Sequence, residues 1–264
     1  MVEAMRNVAS TGATPHALSD CLCFGNPEKS NQMWEFVESV RGVSDACNAI
    51  TLKDNPDHPT PIIAGNVSFY NESKNGAIPP SPIVSCLGKI NNVNKTIQNS
   101  FQKSGSTIIM VGKRKNELGG SIYYSLFNEL GANVPKPNLE KTKNQIFALT
   151  DCIDSGLILS CHDISDGGIA SALAEMTFNN AIGCRVHIES DLPGDTILFS
   201  ETGGFLLEID QENIEIVTSS FSNYGLNIFN IGKTSSNTII INNLISLSVF
   251  EAREAWKNGL RDKL

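Results

Sequence analysis

The sequence predicts a mixed α/β (α+β) protein of two domains, with mixed sheets covered by helices. Strand-like and helix-like segments alternate along all 264 residues, which is typical of layered α/β folds. No short-period repeat interrupts this alternation. Residues 91–106 are polar, contain Lys and Gln and show little periodicity. We therefore predict a boundary near residue 100, between a first domain at 1–100 and a second domain at 101–264.

Composition narrows the class of protein further. Apolar residues make up 41% of the chain, which is enough for a sizeable core and excludes a disordered or collagen-like chain. The net charge of −8 argues against binding to a nucleic acid backbone. No apolar run approaches the roughly 18 residues of a membrane span, and no signal peptide is recognised. Seven cysteines without a CxxC pair and four histidines argue against a zinc or multi-histidine site. We expect a soluble cytoplasmic protein with reduced thiols.

Local start and stop signals in the sequence predict the elements of the first domain. An Asn-Pro-Glu sequence at residue 26 predicts the start of a long helix, whose apolar positions recur every three or four residues up to Ile50. The proline- and aspartate-containing segment 51–60 is predicted as a surface excursion. A short strand at 62–64 is predicted to end at Gly65, and a second strand covers 83–87.

The second domain alternates more regularly. Strands are predicted at 107–111, 157–160, 184–188, 206–209, 226–231 and 238–241. Helices are predicted at 119–130, 138–155, 168–178, 213–221 and 244–258.

Asp20 is the first candidate functional residue. It precedes a short apolar stretch, a glycine and the predicted start of the long helix. A carboxylate in this position suits a Mg²⁺ ion or a nucleotide, because the helix N-terminus offers amides to an anion. Capping of a turn explains Asp20 equally well from the sequence alone.

A second candidate group follows the strand at 62–64. Gly65 allows a close approach to the backbone, and Asn66 and Ser68 alternate onto one face. An amide oxygen can ligate Mg²⁺, and a hydroxyl can bond to a phosphate or a ribose. An Asn-Ser turn with ordinary backbone hydrogen bonds is the commoner explanation of such a pattern.

Two stretches of the second domain contain further polar detail. His162 and Asp163 lie just before a predicted helix and suit a cation or phosphate site, while Ser165 or Asp166 suits a helix cap. A lone histidine more often makes a structural hydrogen bond. The glycines at 203–204 indicate either a bulge or a close ligand approach.

Taken together and in order, these stretches resemble a known family. The motifs that carry the likeness are 3–9, 19–28, 64–72, 77–82, 117–121, 162–168, 172–176 and 198–201. They are similar to the second half of phosphoribosylformylglycinamidine synthase, within the wider superfamily of aminoimidazole ribonucleotide synthetase. The likeness extends from residue 2 to the region of Trp256.

The resemblance implies an ATP-dependent amidation in purine biosynthesis. ATP would phosphorylate the formamide oxygen of formylglycinamide ribonucleotide, and ammonia from a glutaminase would displace the phosphate. It implies ATP and Mg²⁺ as cofactors. It implies as partners the first half of the synthetase, a glutaminase and a small accessory subunit, with no nucleic acid or membrane.

The resemblance also assigns site residues. Asp20 and Gly65 would contact ATP, Asn66 would ligate Mg²⁺, and Ser68 would contact the substrate. No residue of this chain inherits a catalytic role, because the family's catalytic histidines lie in the first half. The chain departs from the pattern at Cys23, where asparagine is usual, and it opens on an interior helix rather than on the first strands of its domain.

Two other functions remain open from the sequence. One is a non-catalytic partner that keeps the fold and lends loops to an assembly. The other is a self-dimerising ATP-dependent kinase or synthetase of the same superfamily.

Overall fold

A computed structural model describes residues 1–259 and residue 261. In chain order the elements before residue 100 are α1 (Val2–Ser10), β1 (Thr14–Cys23), α2 (Ser30–Ala49), β2 (Thr51–Leu52), β3 (Asn55–Pro59), β4 (Ile62–Ser68), β5 (Glu72–Ser73), β6 (Gly76–Ala77), β7 (Ser81–Lys89) and a 3-10 turn at Val93–Lys95.

The elements after residue 100 alternate as the sequence predicts. They are β8 (Thr107–Val111), α3 (Ile122–Ser125), α4 (Leu139–Asp154), β9 (Ser160–Ile164), α5 (Gly168–Thr177), β10 (Cys184–Val186), α6 (Gly194–Phe199), β11 (Gly204–Ile209), a 3-10 turn at Gln211–Asn213, α7 (Ile214–Asn223), β12 (Ile228–Thr234), β13 (Thr238–Ile241), β14 (Ile245–Ser248) and α8 (Val249–Asn258).

The first sheet has three strands in the order β4-β1-β7. Strand β1 is parallel to β4 and antiparallel to β7, so the sheet is mixed. Side chains alternate between its two faces. Leu18 is fully buried and its neighbour Cys86 packs against the core, whereas Ile83, opposite Cys21, is 58% exposed. One face therefore packs on the body of the protein, and the other is open.

The second sheet has seven strands in the order β14-β13-β10-β12-β8-β11-β9. Only the β10–β13 pair is parallel. Alternate residues of β11 enter two different cores: Leu207 packs in the cluster that contains α4 and α7 residues, and Leu206 packs in the cluster that contains α5 residues. Both faces of this sheet are thus covered by helices, which confirms the predicted fold class.

The two sheets share one core. Met5 of α1, Leu18 of β1 and Ile50 after α2 belong to the same buried cluster as Leu149 of α4 and Phe205 of β11. Helix α1 contacts α4, β7 and β9, so it lies between the sheets. The connection after residue 100 is anchored as well, because the buried Glu208 carboxylate accepts hydrogen bonds from the backbone amides of Gln102 and Lys103.

Several predicted elements are confirmed. Strand β8 has the predicted bounds, α5 begins at the predicted residue, and α4 begins after Asn138, whose side chain accepts a hydrogen bond from Lys141 N at 2.9 Å. Strand β13 also coincides with its prediction. These segments share clear apolar periodicity and unambiguous start residues.

Other bounds were wrong. Helix α2 begins at Ser30, because Asn26 Oδ1 accepts from Glu28 N and forms a turn before the helix. Gly65 lies inside β4 rather than at the end of a strand. The helix predicted at 119–130 is only Ile122–Ser125.

The segment 51–60 is mostly exposed, as predicted for a surface excursion, and it forms a two-stranded hairpin of β2 and β3. Two further corrections concern strands. The strand predicted at 157–160 is instead β9 at Ser160–Ile164, so His162 and Asp163 lie within a strand. The start of the predicted last helix is strand β14, which pairs with β13.

Candidate functional site

The four predicted site residues lie on two neighbouring strands. In the parallel β1–β4 pair, Asp20 is opposite Gly65, Cys21 is opposite Asn66, and Cys23 is opposite Ser68. We name Asp20, Gly65, Asn66 and Ser68 the strand-end cluster, because they lie in the carboxyl-terminal halves of β1 and β4. Sequence reasoning missed β1 itself, which places Asp20 inside a strand.

Gly65 is fitted closely to Asp20. A Cβ atom added at Gly65 would lie 2.9 Å from Asp20 Oδ1, which is closer than carbon–oxygen contacts allow. The carboxylate therefore lies beside the Gly65 backbone, and a side chain at this position would displace it.

The sheet separates Asp20 from Asn66 and Ser68. Because side chains alternate along a strand, Asp20 shares a face with Val84, whereas Asn66 and Ser68 share the opposite face. Strand β4 is an edge of the sheet. A ligand that contacts all members of the strand-end cluster must therefore reach around this edge.

Asn66 and Ser68 differ in how they are held. Asn66 is exposed, its Nδ2 donates to Cys21 Sγ at 3.5 Å, and its Oδ1 has no donor within the part of the chain that the structure describes. Ser68 Oγ accepts from Asn71 Nδ2 at 3.1 Å, and the same amide nitrogen donates to the carbonyl oxygens of Phe24 and Ser68. Asn71 thus fixes the loop around Ser68, while Asn66 presents a free oxygen.

The Asn66 oxygen is compatible with Mg²⁺ but does not make a complete site. Among residues 1–259 and 261, no cluster of three or more His, Cys, Asp or Glu side chains is placed to hold a metal ion. Mg²⁺ takes octahedral oxygen ligands and usually keeps substrate phosphates and waters among them. A Mg²⁺ ion at Asn66 would need its remaining ligands from a phosphate, from water or from another chain.

The face of the first sheet that carries Asn66 and Ser68 is also apolar. We name it the open sheet face and define it by Cys21, Asn66, Ile83 and Leu87. Ile83 is 58% exposed and Leu87 is 56% exposed, although both lie in the middle of a strand. Large apolar side chains that are exposed close together on one face indicate an interaction surface.

A second region has the charge that the strand-end cluster lacks. A cavity of about 640 Å³ opens between α1, the loop that follows β8 and the loop that precedes β11. Its lining includes six cationic and four acidic side chains: Arg6, Lys113, Arg114, Lys115, Lys136, Lys141, Glu3, Glu117, Asp166 and Glu201. In a chain of net charge −8, this excess of cations suits an anionic group. Sequence reasoning missed this cavity, because its cations are scattered over 136 positions of the chain.

Two arginines of this cavity are buried without a carboxylate partner within hydrogen-bond distance. Arg114 Nη1 donates to Ser200 O at 3.2 Å, whereas its Nε and Nη2 atoms and Arg6 Nε have no partner in the described chain. Burial lowers the pKa of Arg114 to about 10, and the nearby Arg6 cation acts in the same direction. Gly203 packs on the Arg6 guanidinium, since a Cβ there would lie 2.5 Å from Nη1.

The His162 stretch is a structural network. His162 Nε2 lies 3.0 Å from Glu175 Oε2, and Nδ1 lies 2.7 Å from the Asp163 carbonyl oxygen. Burial opposes the charged imidazole, but the Asp163 and Glu175 carboxylates prevail and raise the pKa of His162 to about 10. In the amide orientation that satisfies both groups, Asn7 donates to the Asp163 carboxylate at 2.9 and 3.1 Å. His162 thus makes hydrogen bonds of the structural kind that the sequence favours.

The predicted helix cap at Ser165 or Asp166 was wrong. Helix α5 has Gly167 at its N-cap, with no side-chain cap from that residue. Glu201 Oε1 accepts instead from Gly167 N at 2.9 Å and from Ile122 N at 2.8 Å. One carboxylate from a distant loop thus serves the starts of α3 and α5, which is favourable because helix N-termini attract negative charge.

Comparison with family models gives two adjoining matches. The model for AIR synthase related protein, N-terminal domain, matches residues 1–90, and that for AIR synthase related protein, C-terminal domain, matches residues 103–241. No helix in the described residues combines the length and the apolar character that a membrane crossing requires.

Curated relatives extend the likeness over the whole chain. Phosphoribosylformylglycinamidine synthase subunit PurL of Methanothrix thermoacetophila is 42% identical over 275 residues, covering 100% of this chain and 35% of the relative. The subunit of the same name from Thermoplasma volcanium is 40% identical over 265 residues, covering 98% of this chain and 33% of the relative. The chain therefore spans about a third of the length of these relatives.

Solved structures share the fold. Thermotoga maritima PurL complexed with ATP has a TM-score of 0.70 and 17% identity, over 96% of this chain and 40% of that chain. The same protein complexed with FGAR has a TM-score of 0.70 and 18% identity, over 96% and 42%. Hydrogenase maturation protein HypE in complex with ATP has a TM-score of 0.66 and 14% identity, over 91% and 74%.

Proposed function

The chain belongs to the AIR synthase related protein family, and from this we propose that it supplies the second half of a phosphoribosylformylglycinamidine synthase. In that reaction ATP phosphorylates the formamide oxygen of formylglycinamide ribonucleotide, giving an iminophosphate. Ammonia from a glutaminase then displaces the phosphate and leaves the amidine. The enzyme is an ATP-dependent C–N ligase of purine biosynthesis in the cytoplasm, and this chain alone is inactive.

The observation that carries the proposal is the open sheet face beside the strand-end cluster. Ile83 and Leu87 of β7 expose apolar surface on the same face as Asn66 and Ser68 of β4, with β1 between the two strands. An incoming chain that spreads over this face therefore also reaches Asn66 and Ser68. Burial of apolar area would drive that association.

The members of the strand-end cluster take separate roles in the proposal. Asp20 and Gly65 contact ATP, Asn66 ligates Mg²⁺ through its free Oδ1, and Ser68 contacts the substrate. Mg²⁺ bound with ATP supplies charge neutralisation to the transferring phosphoryl group. The open oxygen of Asn66 and the ordered loop at Ser68 support these roles.

The counterpart completes the enzyme. The catalytic groups lie in the first half of the synthetase, and a glutaminase with a small accessory subunit supplies ammonia. Within the chain we assign residues 1–100 to the interface and the ATP loops, and residues 101–264 to the covering domain. The shared core supports this assignment, because it holds the strand-end cluster in a fixed position relative to the second domain.

Titration calorimetry tests the proposal. Mg·ATP is added to the chain alone and to the chain mixed with a first-half synthetase chain, and we expect heat of binding only in the mixture. Asn66→Ala should weaken the binding by about tenfold or more, because a metal ligand is lost. Asn75→Ala, at an exposed turn between β5 and β6, is the matched control and should bind like the wild type. An unaffected Asn66→Ala complex would disprove the metal-binding role.

The interface is tested separately. Leu87→Asp places a charge on the open sheet face and should abolish co-elution with the first-half chain. Ile122→Asp is the control, since Ile122 is comparably exposed at 51% but lies after β8, away from this face. Equal loss of co-elution in both variants would contradict the assignment of the surface.

A second candidate is a self-dimerising ATP-dependent kinase or synthetase of the same superfamily. The open sheet face favours it too, because a second copy of this chain would bring an identical apolar surface. Sedimentation decides between the two. A dimer of the isolated chain that binds Mg·ATP tightly supports this candidate and overturns the first. A folded chain that binds no Mg·ATP, either alone or mixed with the first-half chain, supports a non-catalytic partner.

A further inference from the structure

Two cysteine thiols lie side by side at the end of β1. Cys21 and Cys23 are two residues apart on one strand, so their side chains project from the same face. Their Sγ atoms are 3.6 Å apart and share a hydrogen bond. The pair is thus placed by the strand itself rather than by a flexible loop.

The surroundings of this pair differ from those of the other cysteines. Both thiols are half-buried on the open sheet face, where the neighbouring Ile83 is 58% exposed. Cys47, Cys152, Cys161 and Cys184 are buried, and the half-buried Cys86 lies on the opposite face of the sheet. While the open sheet face is uncovered, a small oxidant reaches Cys21 and Cys23 together, whereas the other five thiols stand without such a neighbour in the described chain.

We propose that Cys21 and Cys23 are a reversible oxidation site that closes to an intrachain disulfide with hydrogen peroxide. One thiolate attacks a peroxide oxygen, the O–O bond breaks, and a sulfenic acid and one water form. The second thiolate attacks the sulfenic sulfur and a second water leaves. Two thiols and one peroxide thus give one disulfide and two waters, and the peroxide is the two-electron oxidant.

The strand geometry makes this disulfide easy to reduce. Two residues along a strand span about 6.7 Å between Cα atoms. That lies near the upper end, about 6.8 Å, of the separations that disulfides bridge. Strained disulfides have the more oxidising potentials typical of labile, regulatory bonds. Cys21 Sγ also accepts a hydrogen bond from Asn66 Nδ2 at 3.5 Å, so oxidation changes the chemistry of an atom that contacts the strand-end cluster.

Peptide mapping gives a direct test that does not depend on nucleotide binding. Trypsin cleaves after Arg6 and Lys29, and the peptide 7–29 contains Cys21 and Cys23 and no other cysteine. The intact chain is treated with hydrogen peroxide, blocked with iodoacetamide and digested. We expect this peptide to lose two hydrogen atoms and both alkylation sites, and dithiothreitol to restore both.

Two variants make the result specific. Cys86→Ser removes the other half-buried thiol and should leave closure unchanged. In Cys23→Ser the peptide should no longer lose two hydrogen atoms, and its Cys21 should gain oxygen instead, because no neighbouring thiol traps the sulfenic acid. A wild-type peptide that gains oxygen atoms instead of losing hydrogen, or one that stays reduced while other cysteines oxidise, would overturn the proposal. A bond that dithiothreitol does not reverse would overturn it as well.

Discussion

The two larger sheets of this molecule are built from similar apolar residues but are covered differently. All residues of β8 and β11 are buried, because helices pack on both sides of the seven-stranded sheet. In β4 six of seven residues are exposed, and β7 is exposed along most of its length. The comparison teaches that apolar content alone does not identify a core strand. An uncovered apolar strand is a surface that something else must cover.

Polar groups follow the same division. In the seven-stranded sheet the buried Glu208 carboxylate accepts hydrogen bonds from two backbone amides and from the hydroxyls of Ser106 and Ser160. In the open sheet Asn66 has one weak contact to a sulfur atom and a free oxygen. Satisfied polar groups stabilise the fold, whereas unsatisfied exposed groups remain available to a ligand.

One substitution made in both sheets should show the largest contrast. Leu207→Ala in β11 removes a fully buried side chain and should lower the free energy of unfolding by about 3–5 kcal/mol. Leu87→Ala in β7, which is 56% exposed, should cost less than about 1 kcal/mol in the isolated chain. Urea unfolding monitored by circular dichroism measures both.

The Leu87 result depends on what covers the open sheet face. Addition of the counterpart chain should raise the cost of Leu87→Ala, since the side chain then becomes buried. Equal costs of the two leucine substitutions in the isolated chain would mean that the open sheet face is already covered in solution.

His162, in the seven-stranded sheet, should make the free energy of unfolding depend on pH. His162 has its pKa raised to about 10, so the folded state holds a proton that the unfolded state releases near pH 6.5. Its contribution is complete below about pH 6.5 and is lost as the pH rises towards about 10. His162→Gln should therefore cost about 1–3 kcal/mol at pH 6 and clearly less at pH 9.5.

Urea titrations of wild type and variant across this range measure the difference. His58→Gln, at an exposed position of β3, is the control and should change stability by less than about 0.5 kcal/mol. A difference for His162→Gln that stays constant with pH would show that the imidazole is not held in its charged form.

Ion pairs should show the smallest contrast. Lys53 Nζ joins Asp151 Oδ1 and Thr150 Oγ1, both at 2.7 Å, and its side chain is only 24% exposed. Lys29 pairs with Glu72 at 2.7 Å, but its side chain is 51% exposed. Lys53→Ala should cost about 1 kcal/mol, because a half-buried link between α4 and the β2–β3 hairpin is lost, and Lys29→Ala about 0.3 kcal/mol. Thermal unfolding in low and high salt would separate them, and equal costs would contradict the role of burial.

The sequence predicted those parts of the fold that local periodicity determines. Helix α4 and strand β8 were placed well, because their caps and apolar patterns are unambiguous. The strand β1 was missed, since its face towards the core mixes Leu18 with Asp20. Helix α3 was placed too long, because the exposed apolar residues Leu126 and Leu130 imitate a helical stripe without being buried.

The candidate site was accessible from the sequence only through motifs. The motifs singled out Asp20, Gly65 and Asn66 in two separate stretches, and the parallel pairing of β1 and β4 brings these stretches into register. Their separation across the sheet depends on that register, which the sequence does not contain. Glu201 accepts hydrogen bonds at the starts of two helices that are distant in the chain, so no local sequence pattern predicts this role.

The core shared by the two sheets has a consequence for cooperativity. Met5 and Leu18 are packed with Leu149 and Phe205 in one buried cluster. If either sheet unfolded alone, the other would therefore lose part of its hydrophobic core. The chain should accordingly show one calorimetric transition, with equal van't Hoff and calorimetric enthalpies, rather than two. In native-state hydrogen exchange, the amides of β1 and those of β11 should open in the same cooperative unit.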